Sequence, residues 1–324
     1  MYNDKTIAAV IPAYNEEPFI GEVIETLPEF IDRAYVIDDR STDDTWAEIR
    51  HKADAVNEEG ETTLDRVVPI RHAENKGVGG AIKTGYLHAL EDEMDVTTVI
   101  AGDGQTEPDI VERIVAPVAD GRADYSKGNR LLGQERRDMP LFRQIGNFTL
   151  TLITKIASGY WKIMDPQNGS TAISHEALDR VGIEEMYEGY GYCNDLLVRL
   201  NANNVRVADV KRRAVYKDEE SDIDYKTYIP RVSGLLLRGF LWRLRTKYLV
   251  RDFHPLALFY YVGAATAGVG LLSGLKSAVD RDSGTSRGSS LVLFVLGWLF
   301  LLIAMVFDLE ENEDLELLLY DEYE

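Results

Sequence analysis

Over residues 1 to about 115, short apolar runs alternate with stretches that carry apolar residues at helical spacing. "TIAAVIP" reads as a strand that stops at Pro12. "EPFIGEVIETLPEF" follows as a helix with Ile20, Val23, Ile24 and Leu27 on one face. "RAYVID" predicts a second strand, and "STDDTWAEIRHKA" a helix opened by a Ser/Thr/Asp cap signal. "RVVPIRH" is a third strand, "GVGGAIKTGYLHALE" a glycine-led helix, and "TTVIA" a fourth strand. Repeated strand–helix–strand units of this kind predict an α/β fold with a doubly wound, mostly parallel sheet.

The pattern changes near the C-terminus. No Asp, Glu, Lys or Arg occurs from Phe253 to Leu275, nor from Gly288 to Phe307. Each run is long enough to cross a hydrocarbon core of about 30 Å at about 1.5 Å per residue. "LVLFVLGWLFLLIAMVF" is apolar all round, unlike a helix on a soluble surface. The short polar linker between the runs predicts a transmembrane hairpin. Ahead of it, "RGFLWRLRTKYLVRD" carries Arg238, Arg243, Arg245, Lys247 and Arg251, the composition of a helix lying among headgroups. By the positive-inside rule that end is cytoplasmic, as are then both termini. The expected division is an α/β domain over 1–225, a basic amphipathic helix over 226–252, two spans within 253–307 (about 253–275 and 288–307), and an acidic cytoplasmic tail over 308–324. "MYNDKTIAAVIPAYNEE" meets charge and proline too soon for a signal peptide.

Charge narrows the partners. The formal net charge is −20, and nine acids with no base fall in 308–324. Nucleic acid is excluded as a partner, since phosphate backbones need clustered Lys and Arg. An acidic surface of this kind suits a salt-rich, halophilic cytoplasm. The single Cys193 rules out an internal disulfide and a cysteine-cluster metal site, and the five His form no His-Glu-x-x-His motif.

Candidate chemistry gathers where the strands end. Ligands of open α/β sheets sit outside the carboxyl ends of the strands. Here those ends read "PAYNEE", "DDRSTDD", "HAENKGVGG" and "GDGQ". Asp38 and Asp39 can accept hydrogen bonds from a nucleobase or ribose, or serve as turn and capping residues. Gly77, Gly79 and Gly80 allow a backbone to approach a ligand ahead of a helix N-terminus. Asp103, flanked by Gly102 and Gly104, can hold a divalent cation whose other positions are filled by diphosphate oxygens, and Gln105 can add a neutral oxygen.

"VIPAYNEE", "VIDDRSTDDT", "NKGVGGAIKTGY" and "GDGQTEP" together resemble the family 2 glycosyltransferases with a GT-A fold, within them the dolichyl- or polyprenyl-phosphate sugar synthases. "YSKGNRLLG" (125–133), "DPQNGSTAISHEAL" (165–178) and "GYGYCNDLLVRLNANNVRV" (189–207) extend the similarity over residues 5 to about 215, and the C-terminal hairpin fits that branch. The resemblance implies a nucleotide-sugar (UDP or GDP) bound by Pro12, Tyr14, Glu16, Asp38 and Asp39, with Gly77 and Gly102 lining the site. It implies Mg²⁺ or Mn²⁺ and diphosphate at Asp103 and Gln105, and diphosphate or acceptor contact by Arg130. It implies a polyprenyl or dolichyl phosphate acceptor at the membrane lipid, with self-association through the spans. Two positions depart from the pattern. Ala101 replaces the first Asp of the family's Asp-x-Asp, and Ser170 stands where an aromatic residue is usual.

Three functions follow from these residues. In the first, Arg130 and a cation stabilise the departing diphosphate while a phosphate acceptor attacks the anomeric carbon with inversion. A phosphate monoester has a second pKa near about 6 and is mostly dianionic at neutral pH, so it needs no base. In the second, the acceptor is a hydroxyl of a lipid-linked glycan, and Asp165 or Asp195 must act as base. In the third, the chain is a non-catalytic nucleotide-sugar-binding membrane scaffold, which Ala101 would suit.

Overall fold

The computed structural model describes residues 1–59, 65–104, 108–130, 141–212, 225–279 and 287–320. The first half follows the periodicity: β1 (Ile7–Ala13), α1 (Glu17–Glu25), β2 (Arg33–Asp38), α2 (Thr45–Glu59), β3 (Val67–Arg71), α3 (Val78–Glu91), β4 (Val96–Val99) and α4 (Pro108–Ala119). β1, β2, β3 and β4 are parallel, with Ala13 opposite Asp38, Asp38 opposite Arg71 and Val10 opposite Val99. Their carboxyl ends therefore form one rim. Ile7, Ala9 and Ile11 pack with Ile20, Ile24 and Val115 on one face, while Ala8 and Val10 pack with Ile82, Tyr86 and Ile173 on the other. A strand buried on both faces reads as a continuous apolar run, which is why "IAAVI" carries no polar alternation.

The second half adds β5 (Tyr125–Asn129), α5 (Leu141–Ser158), β6 (Thr171–Ser174), α6 (His175–Arg180), α7 (Tyr192–Ala202) and β7 (Val207–Lys211). The sheet is mixed, because β6 runs antiparallel to both β4 and β5. This reversal matters for the site. Thr171, at the start of β6, lies opposite Lys127 near the end of β5. The loop entering β6, which carries Asp165, thus reaches the same rim as the parallel strand ends.

The C-terminal third contains α8 (Tyr225–Arg245), a π-helical turn (Thr246–Arg251), α9 (Leu256–Val279), α10 (Arg287–Asn312) and β8 (Glu316–Leu319). α9 and α10 are long and apolar enough to span a membrane, with mean hydropathy 1.6 and 2.8. Only 33% and 17% of their apolar windows are buried inside the protein, so most of the surface faces outward, unlike a core helix. Small residues bring the two together: a Cβ on Gly297 would lie 2.2 Å from the Ala267 backbone nitrogen, and one on Gly270 2.4 Å from that of Phe294.

Two sequence expectations change here. Part of the stretch read as an acidic tail is folded, since β8 pairs in parallel with β7 and completes the order β3-β2-β1-β4-β6-β5-β7-β8. Leu319 is buried against Ala123 and Ala208, which supplies the apolar reason. The basic cluster is also not a uniform headgroup-facing surface. Arg243 is fully buried in a bidentate pair with Asp308 (2.8 and 2.9 Å) and donates from Nε to the Ala157 carbonyl. Lys247 donates to Asn312 Oδ1 at 2.7 Å, and Arg251 donates to the Ala202 carbonyl at 2.7 Å. Arg238 and Arg245 remain exposed, beside exposed Leu237, Leu241 and Trp242. α5 likewise exposes Phe148 and Leu152, one turn apart.

Asp308→Ala leaves a buried guanidinium without its counter-charge. It is expected to lower stability by about 3–5 kcal/mol, whereas Arg243→Met combined with Asp308→Leu should lose much less. Denaturant unfolding of the detergent-solubilised chain measures both.

Candidate active site

The rim is built by turns that hold one another. Asn15 follows β1 in the left-handed region (φ 57°), where Asn is tolerated. Its backbone N–H donates to Ser41 Oγ, its side-chain oxygen accepts from Thr42 N, and Glu16 N donates to Thr45 Oγ1. The β1–α1 and β2–α2 turns are thereby laced together. Tyr14 is left half-exposed on the rim, beside Pro12 at the end of β1 and Glu16 at the head of α1.

Asp38 and Asp39 are both buried, with different partners. Asp38 Oδ1 accepts from Ser41 N at 2.9 Å, and Oδ2 lies 2.9 Å from Arg71 Nε, off the hydrogen-bonding direction. Asp39 accepts from the backbone N–H groups of Lys76 and Gly77, each at 2.8 Å, and faces His72 Nδ1 at 2.7 Å. The other ring nitrogen of His72, Nε2, lies 2.9 Å from Thr84 Oγ1, so the imidazole is held at both ends. The position of Asp39 thus organises the 75–78 turn from within the protein.

The glycines of that turn face the chain itself. A Cβ on Gly79 would lie 2.6 Å from the Tyr187 carbonyl oxygen, and one on Gly77 (φ +79°) 2.9 Å from that of Glu188. Gly80 N donates to the Glu188 carbonyl. The clearance read from sequence as room for a ligand is taken up by the 187–189 segment, which the turn draws onto the rim.

Asp103 follows β4 on the same rim. Gly102 is pressed onto β1, where a Cβ would meet the Pro12 carbonyl oxygen at 2.7 Å. Asp103 therefore sits beside the end of β1, partly exposed. Gln105 lies outside the described residues. Among the described residues, no three His, Cys, Asp or Glu side chains are grouped closely enough to hold a metal ion alone. A donor set of one carboxylate fits a cation that takes its remaining ligands from water and substrate phosphates, the habit of Mg²⁺.

The other side of the rim is a charged clamp. Arg130, just past β5, donates from Nε and Nη2 to the two oxygens of Asp165 at 2.8 and 3.0 Å, and its backbone N–H donates to Asp165 Oδ2. Burial alone would raise the Asp165 carboxyl, but the hydrogen bonds and charge of Arg130, with Lys127 behind, hold it at about 2. Asp165 takes a left-handed backbone (φ 46°), and Asn168 Nδ2 donates to it at 3.2 Å. Asp195, in the first turn of α7, accepts from Arg199 Nε at 2.9 Å and from Tyr187 N at 3.0 Å. Ser170 accepts from Arg212 Nη1, a polar contact that its hydroxyl supplies.

Beneath the clamp lies a buried network that sequence reading missed. Lys127 Nζ donates to Asp209 Oδ1 at 3.0 Å, and Asn129 Nδ2 and Met164 N donate to Asp209 Oδ2 at 2.7 and 3.1 Å. A signal available in the sequence was the acid among the apolar residues of "VADV".

The pattern described as Glycosyl transferase family 2 matches residues 8–182. The chain belongs to glycosyl transferase family 2. A UDP-N-acetylglucosamine–dolichyl-phosphate N-acetylglucosaminyltransferase of Methanococcus voltae is 31% identical over 221 residues, covering 66% of this chain and 88% of that protein. An undecaprenyl-phosphate mannosyltransferase of Micrococcus luteus is 27% identical over 213 residues, covering 63% and 81%. The fold matches glucosyl-3-phosphoglycerate synthase from Mycobacterium tuberculosis, crystallised with Mn²⁺ and UDP, at TM-score 0.51 and 20% identity, over 74% of this chain and 80% of that one. This family 2 glycosyltransferase therefore has a GT-A-type sheet followed by two long apolar helices.

The clamp makes stability depend on acidity with a defined sign. Asp165 is lowered from 3.8 to about 2, so it stabilises the fold above the unfolded value and loses that contribution as pH falls through the folded one. At about 1.4 kcal/mol per pKa unit the contribution is about 2 kcal/mol. Urea unfolding of wild type and Asp165→Asn should differ by about that amount at pH 6 and converge between pH 4 and pH 2.

Proposed function

We propose that this glycosyltransferase moves one sugar from a nucleotide-sugar onto the phosphate of a polyprenyl (dolichyl) phosphate, with inversion at the anomeric carbon. One observation carries the reading: both carboxylates that could serve as base for a hydroxyl acceptor are engaged. Asp165 is held as a carboxylate in the Arg130 clamp, and Asp195 is bound by Arg199 and the Tyr187 amide. A carboxylate at about 2 is a weak proton acceptor near neutral pH. A phosphate dianion needs none. The names of the Methanococcus and Micrococcus relatives, which specify dolichyl- and undecaprenyl-phosphate, support the same acceptor class.

In this reading the nucleotide lies along the ends of β1 and β2, against Pro12, Tyr14, Glu16, Asp38 and Asp39. Asp103, with Gln105 following, would hold a Mg²⁺ or Mn²⁺ ion, which supplies charge to stabilise the leaving diphosphate when bound. Arg130 offers a permanently charged, planar donor to phosphate, and Asp165 fixes its orientation. Displacement breaks the anomeric C–O bond to the diphosphate and forms one to an acceptor phosphate oxygen. The nucleoside diphosphate leaves with the bonding pair.

The spans keep the chain in the membrane in which a polyprenyl tail resides. β8 pairs with the catalytic sheet, so residues after α10 lie on the same side as that domain. The reading places this side in the cytoplasm. Exposed Arg238 and Arg245, with Leu237, Leu241 and Trp242, suit contact with anionic headgroups. The net charge of −20 suits a salt-rich interior.

Membranes containing the chain, incubated with UDP- and GDP-sugars and a short polyprenyl phosphate, should yield the sugar-phosphate lipid by mass spectrometry. Chelation should stop transfer, Mg²⁺ or Mn²⁺ should restore it, and Asp103→Ala should lower it at least about 10²-fold. Asp195→Asn should retain most of the rate. Product formed only with a hydroxyl acceptor, or a rate abolished by Asp195→Asn in a stable protein, would replace this reading with the glycan one. Arg238→Glu combined with Arg245→Glu should raise the KM for the lipid acceptor several-fold and leave nucleotide affinity unchanged.

A further inference from the structure

The loop that carries Asp165 is held by an unusual row of contacts. Trp161 N donates to Glu316 Oε1 at 2.9 Å, and Lys162 N and Ile163 N donate to Glu316 Oε2 at 2.6 and 3.0 Å. Met164 N donates to Asp209 Oδ2 at 3.1 Å. Four consecutive peptide N–H groups thus end on two buried carboxylates, one from β8 and one from β7. The next residue is Asp165, in its left-handed conformation, clamping Arg130. Glu316 is the first residue of β8, beyond both spans, and its backbone pairs with Val207. Lys162 Nζ adds an ion pair to Glu313 at 2.8 Å, and Lys155 Nζ donates to the Trp161 carbonyl.

We infer that the strand formed after the second span is a working part of the active site, with Glu316 as the positioning residue that sets the Arg130–Asp165 clamp. Three amides on the Glu316 carboxylate fix the path of 161–163, Asp209 holds the Met164 amide that follows, and the next residue aims the guanidinium. Charge-assisted bonds of this kind are short and directional, so the loop has one geometry while Glu316 is in place. A displacement of about 1 Å in a reacting group costs about 10²-fold in rate, which makes so remote a contact consequential. The nucleotide rim at β1 and β2 is held by other residues and does not depend on it.

This inference rests on the proposed transfer to a phosphate acceptor, and its test separates the two. In the full-length, membrane-inserted chain, Glu316→Gln keeps one acceptor oxygen and Glu316→Ala keeps none. Transfer should fall in that order, with Glu316→Ala lower in kcat by about 10²-fold. UDP or GDP affinity should stay within about twofold of wild type, because the donor rim is intact. Hydrogen exchange at amides 161–164 should accelerate in both variants, a readout that needs no acceptor. Because Glu316 acts through Asp165, Glu316→Gln should cost little further rate in an Asp165→Asn background. Wild-type turnover in Glu316→Ala, unchanged exchange at 161–164, or losses that multiply fully with Asp165→Asn would each overturn the role. If the wild-type chain makes no product from polyprenyl phosphate, the acceptor reading fails instead, and the exchange measurement still decides for or against Glu316.

Discussion

A single buried ion pair fixes how the membrane part meets the catalytic part. Arg243 and Asp308 are both fully buried, and their bidentate geometry leaves little freedom for α10 to rotate or slide along α8. Charges removed from water are stable only when their remaining donors and acceptors are also satisfied. Here the carbonyls of Ile156 and Ala157 accept from Arg243, and Tyr248 donates to Asp308. Asn312, one turn beyond Asp308, joins Lys247 and Asn201. Apolar contacts alone would tolerate many relative placements of these helices. This node admits one, and it determines where the chain emerges after α10 to form β8.

The same logic of carboxylates holding backbone recurs around the rim. Asp39 gathers the 75–78 turn, Asp209 and Glu316 gather 161–164, and Asp38 caps the turn after β2. In a chain so rich in acids, part of that composition is internal scaffolding rather than solvated surface. The glycines work in the complementary way. Gly79 and Gly102 let segments from distant parts of the sequence come into backbone contact, so that the four loop ends form one surface.

Much of this was legible in the sequence. The period of the apolar residues marked β1 to β4 and the three helices between them, since parallel central strands must be apolar on both faces, while α4 was not read. The two long apolar helices were visible because a helix able to cross a membrane must be apolar all round. Asp103 was read as a candidate from its place between two glycines at a strand end, and Arg130 only through the family resemblance. Position in three dimensions was less legible. Arg243 and Arg238 lie five residues apart in one basic run, yet one is buried and the other exposed, because the partner of Arg243 lies 65 residues away. β8 was hidden for a similar reason: "ELLL" is too short to announce a strand, and only its neighbour β7 makes it one. Asp165 and Asp195 were read as candidate bases from residue type, while their engagement depends on Arg130 and Arg199.

The place of β8 in the chain has a consequence for biosynthesis. A ribosome releases the first seven strands before either span, and the eighth only after both. Until the chain has passed through α9 and α10 and returned to β7, that strand lacks its β8 neighbour and the 161–163 amides lack the Glu316 carboxylate. The edge of the catalytic sheet is thus closed by the segment that lies farthest from it along the chain, on the far side of both apolar helices.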